Sequence, residues 1–360
     1  MFWAGWYDIF AMGNIVAYEK WITEASLPDD AYVAITIDPL GHCQDAAVYF
    51  PQNLVAGRTA LSIMQSFQVY GIRDIVRPIR DVTFYVMSSD DEAGLAAANY
   101  WTSLPAFPKF KEANFYLHAD GSATTSRPTR SEDASTSYIY DPTNPIPTNG
   151  GSNLNIPCGP LDQSMYNDRS DVLTFTTPVF TEEYPMTGPM FAKLFVSTNA
   201  TDTDFMVKIT DLFPSGEARL IFDSAARMRW REGGLEPVWC KEGEVYEISI
   251  SLWNTSYVVA PDHALQFYIQ SSNEPRFHVN KNNGVLLVDD MAGKGEPVIA
   301  QNTIHHSAKY PSRIVLPQVN KKQLPEVNII KAFEEEFPEL DLNELSMKFQ
   351  HFNDQIVKPY

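Results

Sequence analysis

The chain opens with residues 1–10, MFWAGWYDIF, in which a single acidic residue, Asp8, lies among aromatic side chains. A short apolar run that ends in a polar loop is typical of a parallel strand, and reactive loops in open α/β sheets follow the carboxyl ends of strands. A second apolar run, residues 32–38 (YVAITID), leads into the loop Pro-Leu-Gly-His. Asp8 and His42 therefore each follow a predicted strand.

The residues that follow these two loops predict a mixed α/β unit over residues 1–92. Residues 53–71 (NLVAGRTALSIMQSFQVYG) carry apolar side chains near helical spacing and end at a glycine, which favours a helix. Residues 81–89 (DVTFYVMSS) are typical of a strand. A strand, a helix and another strand in succession indicate an α/β sheet.

From residue 93 to residue 317 the pattern changes to short β-type runs separated by turns. Residues 244–253 (EVYEISISLW) show the clearest alternation, with apolar side chains on every second residue from Ile248 to Leu252. Many short strands separated by Gly, Pro, Asn and Asp turns predict a β-sandwich or jelly roll.

Residues 318–360 form a third segment, which is predicted to be an acidic helical tail. Asp341 and Glu344 have the spacing of a capping box at a helix start. The apolar residues beyond them are spaced 3, 4, 3 and 4 apart, which places them on one face of a helix: Leu342, Leu345, Phe349, Phe352 and Ile356. We expect this face to pack back on its own protein, and a partner-binding helix is the alternative.

Composition narrows the classes of function. The net charge is −18, so nucleic-acid binding, which depends on cations that neutralise phosphates, is not expected. No apolar run approaches the ~18 residues that a membrane-spanning helix needs, and no membrane partner is expected. The three cysteines include no CxxC and do not form a disulfide framework. The pair His305 and His306 lacks a third ligand, so the sequence predicts neither a metal nor a cofactor.

Asp8 and His42 have the chain order of a hydrolase triad. In α/β-hydrolases the nucleophilic serine comes first, the acid second and the histidine third. Asp8 would then accept a hydrogen bond from one imidazole nitrogen of His42, and the other nitrogen would act as the general base. Spacing alone leaves two simpler roles open. Asp8 could cap the helix that residues 9–22 suggest, and His42 could bond a backbone carbonyl.

Six motifs along the chain together resemble one family. They are GWYD (residues 5–8), DPLGH (38–42), YIYDPTNPIPTNGG (138–151), DQSMYNDRSDVLTFTT (162–177), SSNEPRFHVNKNNG (271–284) and HHSAKYPSRIVLP (305–317). Their order and spacing are similar to those in the C-terminal part of the cocaine esterase and Xaa-Pro dipeptidyl-peptidase family of serine hydrolases. The motifs extend over most of residues 5–317.

The resemblance implies a role for five residues. Asp8 and His42 would be the catalytic acid and base, and Trp6, Tyr7 and Phe10 would be aromatic walls of the substrate pocket. Packing beneath the neighbouring helix is the alternative for these three rings. The implied partner is a small ester or peptide substrate, and a homodimer is implied as well, because family members often dimerise. The loop before His42 reads Pro-Leu-Gly where the family has a tryptophan, which alters the pocket wall.

The nucleophile that the resemblance requires is absent from the sequence. No G-x-S-x-G elbow occurs in the 360 residues. We therefore expect a C-terminal fragment of such an enzyme that is inactive alone. Its fold class would be an α/β-hydrolase C-terminal remnant (1–92), an all-β jelly-roll domain of the galactose-binding-like kind (93–317) and a helical tail (318–360). The alternatives are a non-enzymatic β-sandwich module for binding or assembly, and one half of a split hydrolase.

Overall fold

The chain folds mainly into β-sheet, with few helices. The computed structural model describes residues 1–28, 31–42, 50, 53–70, 79–89, 96–129, 134–345 and 347. No helix in these ranges is long and apolar enough to cross a membrane. The helices are α1 (Ala11–Glu24), α2 (Asn53–Val69), α3 (Leu287–Met291) and α4 (Ile329–Glu336). The strands are β1 (Phe2–Tyr7), β2 (Ile35–Gly41), β3 (Val82–Val86), β4 (Tyr100–Leu104), β5 (Lys111–Leu117), β6 (Ala123–Thr124), β7 (Ser135–Tyr140), β8 (Leu173–Thr176), β9 (Tyr184–Thr198), β10 (Asp204–Leu212), β11 (Ala218–Arg227), β12 (Tyr246–Val259), β13 (Ala264–Gln270), β14 (Ala300–His305) and β15 (Arg313–Gln318).

The first sheet has the order β1-β2-β3-β4 and carries both predicted reactive loops. Its first three strands are parallel, and β4 runs antiparallel to β3. Every residue of β2 and β3 is buried, as expected for parallel strands that are covered on both faces. The strands predicted at residues 32–38 and 81–89 are thus present as β2 and β3, and the helix predicted over residues 53–71 is present as α2.

The first sheet extends beyond residue 92, because β4 belongs to it. Two antiparallel sheets make up the part that follows, residues 111–318, which we call the β part. One sheet has the order β11-β10-β13-β8, and the other has the order β6-β5-β15-β9-β14-β7 with β12 also paired to β9. The division at residues 92, 93 and 317 stays a prediction.

Strand β12 shows why the sequence of the β part folds this way. Ile248, Ile250 and Leu252 are buried, and the residues between them, Ser249 and Ser251, are exposed. This is the two-residue period of a strand with one face on the core. The alternation predicted for residues 244–253 is confirmed.

The first sheet and the β part share one core. Buried residues of all three sheets contribute to a single hydrophobic cluster. A polar contact adds to it, because the Tyr257 hydroxyl binds the Ser89 hydroxyl and also donates a 2.8 Å hydrogen bond to Asp211 Oδ2. The other oxygen of Asp211 lies 2.8 Å from His263 Nδ1. Since all four residues are buried, this network joins the end of β3 to the interior of the β part.

The segment after β15 packs back on the first sheet. Helix α4 contacts α2, and the ring of Phe337 lies 5.1 Å from that of Phe67. Asp341 Oδ1 accepts the backbone N–H of Glu344 at 3.1 Å, which is half of the predicted capping box. Leu342 is buried and Leu345 packs against the core. The rest of the predicted apolar face lies outside the described residues: Phe349, Phe352 and Ile356.

Candidate active site

Asp8 and His42 lie side by side at the carboxyl edge of the first sheet. Strands β1 and β2 are parallel neighbours, and their last residues, Tyr7 and Gly41, are paired beyond a shift in the register. Each functional side chain is carried by the next residue, so parallel pairing brings the two together. Nδ1 of His42 lies 3.2 Å from Oδ2 of Asp8.

The two carboxylate oxygens of Asp8 make different contacts. Oδ1 accepts the backbone N–H of Phe10 at 2.9 Å, and the Asp8 carbonyl accepts the N–H of Ala11 at 3.1 Å, so this side of Asp8 fixes the turn into α1. Oδ2 is the oxygen that faces His42. The Asp8 side chain therefore holds the turn before α1 and also faces His42. It does not cap the helix, because the N-cap of α1 is Phe10 and no side chain makes a cap hydrogen bond there. The turn holds the carboxylate in the orientation that the histidine contact needs.

The end of β2 pairs irregularly with β1, and we call residues 39–42 the His42 loop. This loop is fixed by a buried acid, Asp38, which no sequence pattern assigned to the site. Oδ1 of Asp38 accepts the backbone N–H of Leu40 at 2.9 Å. Oδ2 accepts the indole N–H of Trp3 at 3.0 Å and the Arg58 Nε–H at 2.7 Å. An Asp that opens a turn and bonds the N–H two residues on is a known turn signal, and the Asp-Pro step at the strand end carried it.

Two glycines allow the strand ends to approach their neighbours. A Cβ on Gly5 would lie 2.0 Å from the carbonyl oxygen of Leu40, and a Cβ on Gly41 would lie 2.6 Å from the Sγ of Cys158. Real Cβ atoms do not reach such distances, so both positions need glycine for close approach. Cys158 is buried. Cys43, the residue after His42, lies outside the described residues.

The three aromatic residues assigned to the pocket wall occupy different environments. Phe10 is 52% exposed, and its ring centroid lies 5.3 Å from that of His42, edge to face. Trp6 and Tyr7 are buried. The Trp6 indole N–H donates to the carbonyl of Tyr85 at 2.8 Å, and the Tyr7 hydroxyl donates to the carbonyl of Leu220 at 2.8 Å. Phe10 alone of the three adjoins the imidazole at the surface, and the pocket-wall roles stay predictions.

The arrangement has the chemistry of an acid–base pair. A carboxylate on Nδ1 selects the imidazole tautomer whose Nε2 accepts a proton, and it stabilises the imidazolium that then forms. The His42 side chain is 47% exposed and the Asp8 side chain 17%, so the imidazole is open to solvent and the carboxylate is largely covered. In the described ranges, no three or more His, Cys, Asp and Glu side chains come together as metal ligands would.

Comparisons with known proteins agree with the motifs. The family described as the X-Pro dipeptidyl-peptidase C-terminal non-catalytic domain matches residues 80–315. The cocaine esterase of Rhodococcus sp. (strain MB1 Bresler) is 32% identical over 339 residues, which cover 88% of this chain and 56% of that protein. Asp8 and His42 lie before the range that the family matches.

Two solved structures share the fold. An aminopeptidase from a marine sediment Thaumarchaeota archaeon superposes with a TM-score of 0.74 at 22% identity. An α-amino acid ester hydrolase superposes with a TM-score of 0.72 at 21% identity. Each comparison covers 88% of this chain and 54% of the other, so the chain spans about half the length of the relatives it matches. The matched domain, the 32% identical relative and the ordered motifs show that the chain belongs to the cocaine esterase and X-Pro dipeptidyl-peptidase family, and that it corresponds to the C-terminal portion of its members.

Proposed function

We propose that this chain supplies the acid–base half of a serine hydrolase that cleaves esters or X-Pro peptide bonds. The observation that carries the proposal is the contact between Asp8 Oδ2 and His42 Nδ1, 3.2 Å apart at the ends of adjacent parallel strands. The family membership supports the class of reaction, and the names of the relatives include both an esterase and an aminopeptidase.

In this mechanism His42 moves protons and Asp8 holds it in place. His42 Nε2 takes the proton of the serine hydroxyl as the serine oxygen attacks the substrate carbonyl. The same nitrogen then gives the proton to the leaving alcohol or amine, which completes the acyl-enzyme. Water repeats the two proton transfers and releases the acid. Throughout, Asp8 stabilises the charged imidazolium.

The serine and the oxyanion hole are assigned to polypeptide outside these 360 residues, because no G-x-S-x-G elbow occurs within them. This polypeptide can be an N-terminal extension of the same protein or a separate chain. Strand β1 is the outer strand of the first sheet as described, and an outer strand offers backbone groups for pairing. Trp21 and Ile22 of α1, the helix that follows β1, are about half exposed. We assign this edge to the serine-bearing polypeptide.

The fold supports a finer assignment under the same proposal. The parallel strands β1, β2 and β3 would be the last strands of an α/β-hydrolase sheet, which ends with the acid and the histidine in this order. The two antiparallel sheets of the β part would be a jelly roll of the galactose-binding-like kind.

The test compares the chain alone with the chain completed by a serine-bearing polypeptide. We expect the 360 residues alone to give no turnover of p-nitrophenyl esters or an X-Pro-anilide. Co-expression or fusion with a G-x-S-x-G polypeptide of this family should give activity that a fluorophosphonate blocks. His42→Gln should abolish that activity, and Asp8→Asn should lower it by about 10⁴-fold, the loss known when a triad Asp is replaced by Asn.

His278→Gln is the matched control for the histidine substitution. The His278 side chain is 45% exposed and lies 3.6 Å from Asp290, so it resembles His42 in exposure and in its acidic neighbour. This variant should keep full activity in the completed enzyme. Fluorophosphonate-sensitive turnover by the chain alone, or an active completed enzyme that tolerates His42→Gln, would contradict the proposal.

A second function follows from one observation. The family that matches residues 80–315 is described as non-catalytic, so the β part could serve as a binding or assembly module without any hydrolase activity. The same experiment separates the two functions. A completed protein that assembles stably through this chain, but has no hydrolase activity, favours the module.

A further inference from the structure

The two residues that directly precede Asp8 and His42 both contact the β part. We propose that the β part sets the geometry of the acid–base pair, with Tyr7 as a positioning residue and the packing of Gly41 against Cys158 as a second point of control. This inference rests on the proposed function, since it assigns the β part a task in the same site.

The first contact is the hydrogen bond from the Tyr7 hydroxyl to the Leu220 carbonyl, 2.8 Å long. Tyr7 is fully buried, and the pKa of its hydroxyl is raised by burial and, to a lesser extent, by the charges of Asp211 and Asp223. The Tyr7 hydroxyl therefore stays protonated at neutral pH and donates this hydrogen bond. It ties the last residue of β1 to strand β11.

The acceptor of this bond is itself fixed. Leu220 pairs with Thr210 of β10, and its N–H donates to the carbonyl of Leu161 at 3.1 Å. Strand β10 carries Asp211, which belongs to the buried network with Tyr257 and His263. The carbonyl that receives the Tyr7 hydroxyl thus belongs to a buried, hydrogen-bonded residue of the β part.

The second contact lies under the His42 loop. Gly41 has so little room that an added Cβ would meet the Cys158 Sγ at 2.6 Å. Cys158 is 1% exposed, and its loop is closed by two backbone hydrogen bonds between Gly151 and Gly159, of 2.8 Å and 3.0 Å. Cys158 therefore limits how closely the backbone before His42 can approach the β part.

The two contacts matter because the Asp8–His42 bond has little tolerance. At 3.2 Å the bond is already at the long end of the range for nitrogen–oxygen hydrogen bonds. A shift of ~0.5 Å between the strand ends is enough to lose productive site geometry. Since Tyr7 and Gly41 are paired with each other, the two contacts together define the offset between the residues that follow them.

The test measures the tautomer of the His42 imidazole in the intact chain and needs no catalytic assay. The seven histidines are labelled with ¹⁵N, and long-range ¹⁵N–¹H spectra assign the tautomer of each ring, with His42→Gln identifying the His42 signals. The parent chain should show the Nδ1–H tautomer, and Asp8→Asn should convert it, because an Asn in place of the acid favours the wrong tautomer. Tyr7→Phe should cause a partial loss of the Nδ1–H signal.

Tyr184→Phe is the matched control. Tyr184 is buried in the β part, and its hydroxyl has no hydrogen-bond partner in the described structure, so this variant removes the same atom without removing a bond. It should leave the His42 spectrum unchanged.

The second contact is tested by size exchange. Gly41→Ala should displace the His42 loop and lower the Nδ1–H signal. Gly41→Ala combined with Cys158→Gly should restore part of it, because this exchange removes both the Sγ at 2.6 Å and the Cβ at 3.3 Å and leaves only the approach to the Tyr7 carbonyl oxygen at 3.2 Å. This pair decides the question even if Tyr7→Phe fails to fold.

The inference is overturned if folded Tyr7→Phe and Gly41→Ala chains both keep the parent His42 spectrum, or if the Cys158 substitution restores nothing. If Asp8→Asn changes the tautomer while these variants do not, the acid–base pair of the proposed function stands and the positioning role fails. If Asp8→Asn also changes nothing, the proposed pair itself fails.

Discussion

The carboxylate of Asp38 accepts a 2.9 Å hydrogen bond from the backbone N–H of Leu40, within the loop that ends at His42. The same carboxylate accepts hydrogen bonds from Trp3 and from Arg58. One buried acid thus joins the start of β1, helix α2 and the His42 loop. The loop geometry depends on a residue that takes no part in the proposed chemistry.

We predict that Asp38→Ala destabilises the chain by about 2–4 kcal/mol, since it removes three hydrogen bonds and leaves Trp3 and Arg58 without an acceptor. Urea unfolding measures this loss. Asp141→Ala is the control, because Asp141 also bonds an N–H two residues on, that of Thr143, but lies in an exposed turn. A loss no larger than that of the control would contradict the role of Asp38.

We predict that His306 makes the fold sensitive to acid. Burial, with a smaller contribution from the neighbouring His305, lowers the pKa of His306 from 6.5 to about 4. The folded state therefore favours the neutral ring, so the stabilisation is present above pH 6.5 and is lost as the pH falls from about 6.5 to about 4.

The measurement for His306 is the free energy of unfolding at pH 7 and at pH 5. The parent chain should lose more stability between these values than His306→Gln does. His278→Gln changes an exposed histidine and should behave like the parent. Equal losses in the parent and in His306→Gln would show that the ring titrates alike in both states.

We predict that Lys208 makes stability rise with pH in the same sense as His306, but in an alkaline range of pH. Burial lowers the pKa of Lys208 from 10.5 to about 8. Between these values the unfolded state binds more protons than the folded state, so stability rises with pH. The contribution from Lys208 between pH 7.5 and 9.5 should be about 2 kcal/mol.

Lys208→Met should lack this rise, so the difference between the two unfolding curves isolates the lysine from other groups that titrate. Lys241→Met is the control, because the Lys241 side chain is 82% exposed. Parallel curves for the parent and Lys208→Met would mean that the buried ammonium keeps its charge, helped by the 2.7 Å bond to Gln163 Oε1.

We predict that Tyr257→Phe weakens the joint between the first sheet and the β part. The substitution removes the hydroxyl that binds both Ser89 and Asp211, and a buried acceptor left without its donor costs about 1–3 kcal/mol. Tyr184→Phe, which loses no bond, should cost less. Urea unfolding and limited proteolysis near residues 87–100 measure the effect, and equal behaviour of the two variants would count against it.

The sequence predicted features that depend on local pattern. The alternation along residues 244–253 was sufficient to predict strand β12, and the apolar run before His42 was sufficient to predict β2. Both signals are local, because the two-residue period of a strand involves only neighbouring residues. Asp8 and His42 could be placed together because carboxyl ends of parallel strands share an edge. Their catalytic roles stay predictions.

What the sequence did not predict depends on contacts between distant residues. The Tyr7 hydroxyl bonds Leu220, which is 213 residues away, and no local pattern specifies that partner. The inclusion of β4 in the first sheet is a similar case. Its antiparallel pairing with β3 joins residues on either side of the change in sequence pattern near residue 93, and no periodicity in the sequence indicates such a pairing. Asp38 did carry a turn signal, but its bonds to Trp3 and Arg58 are visible only in the fold.

The paired contacts of Tyr7 and Gly41 with the β part limit how this protein can be recombined. A chimera that joins the first sheet to the β part of another relative would need a carbonyl where Leu220 places one and a small buried side chain where Cys158 lies. Exchange in evolution or in engineering would then have to move the strand ends that carry Asp8 and His42 together with the two sheets that support them.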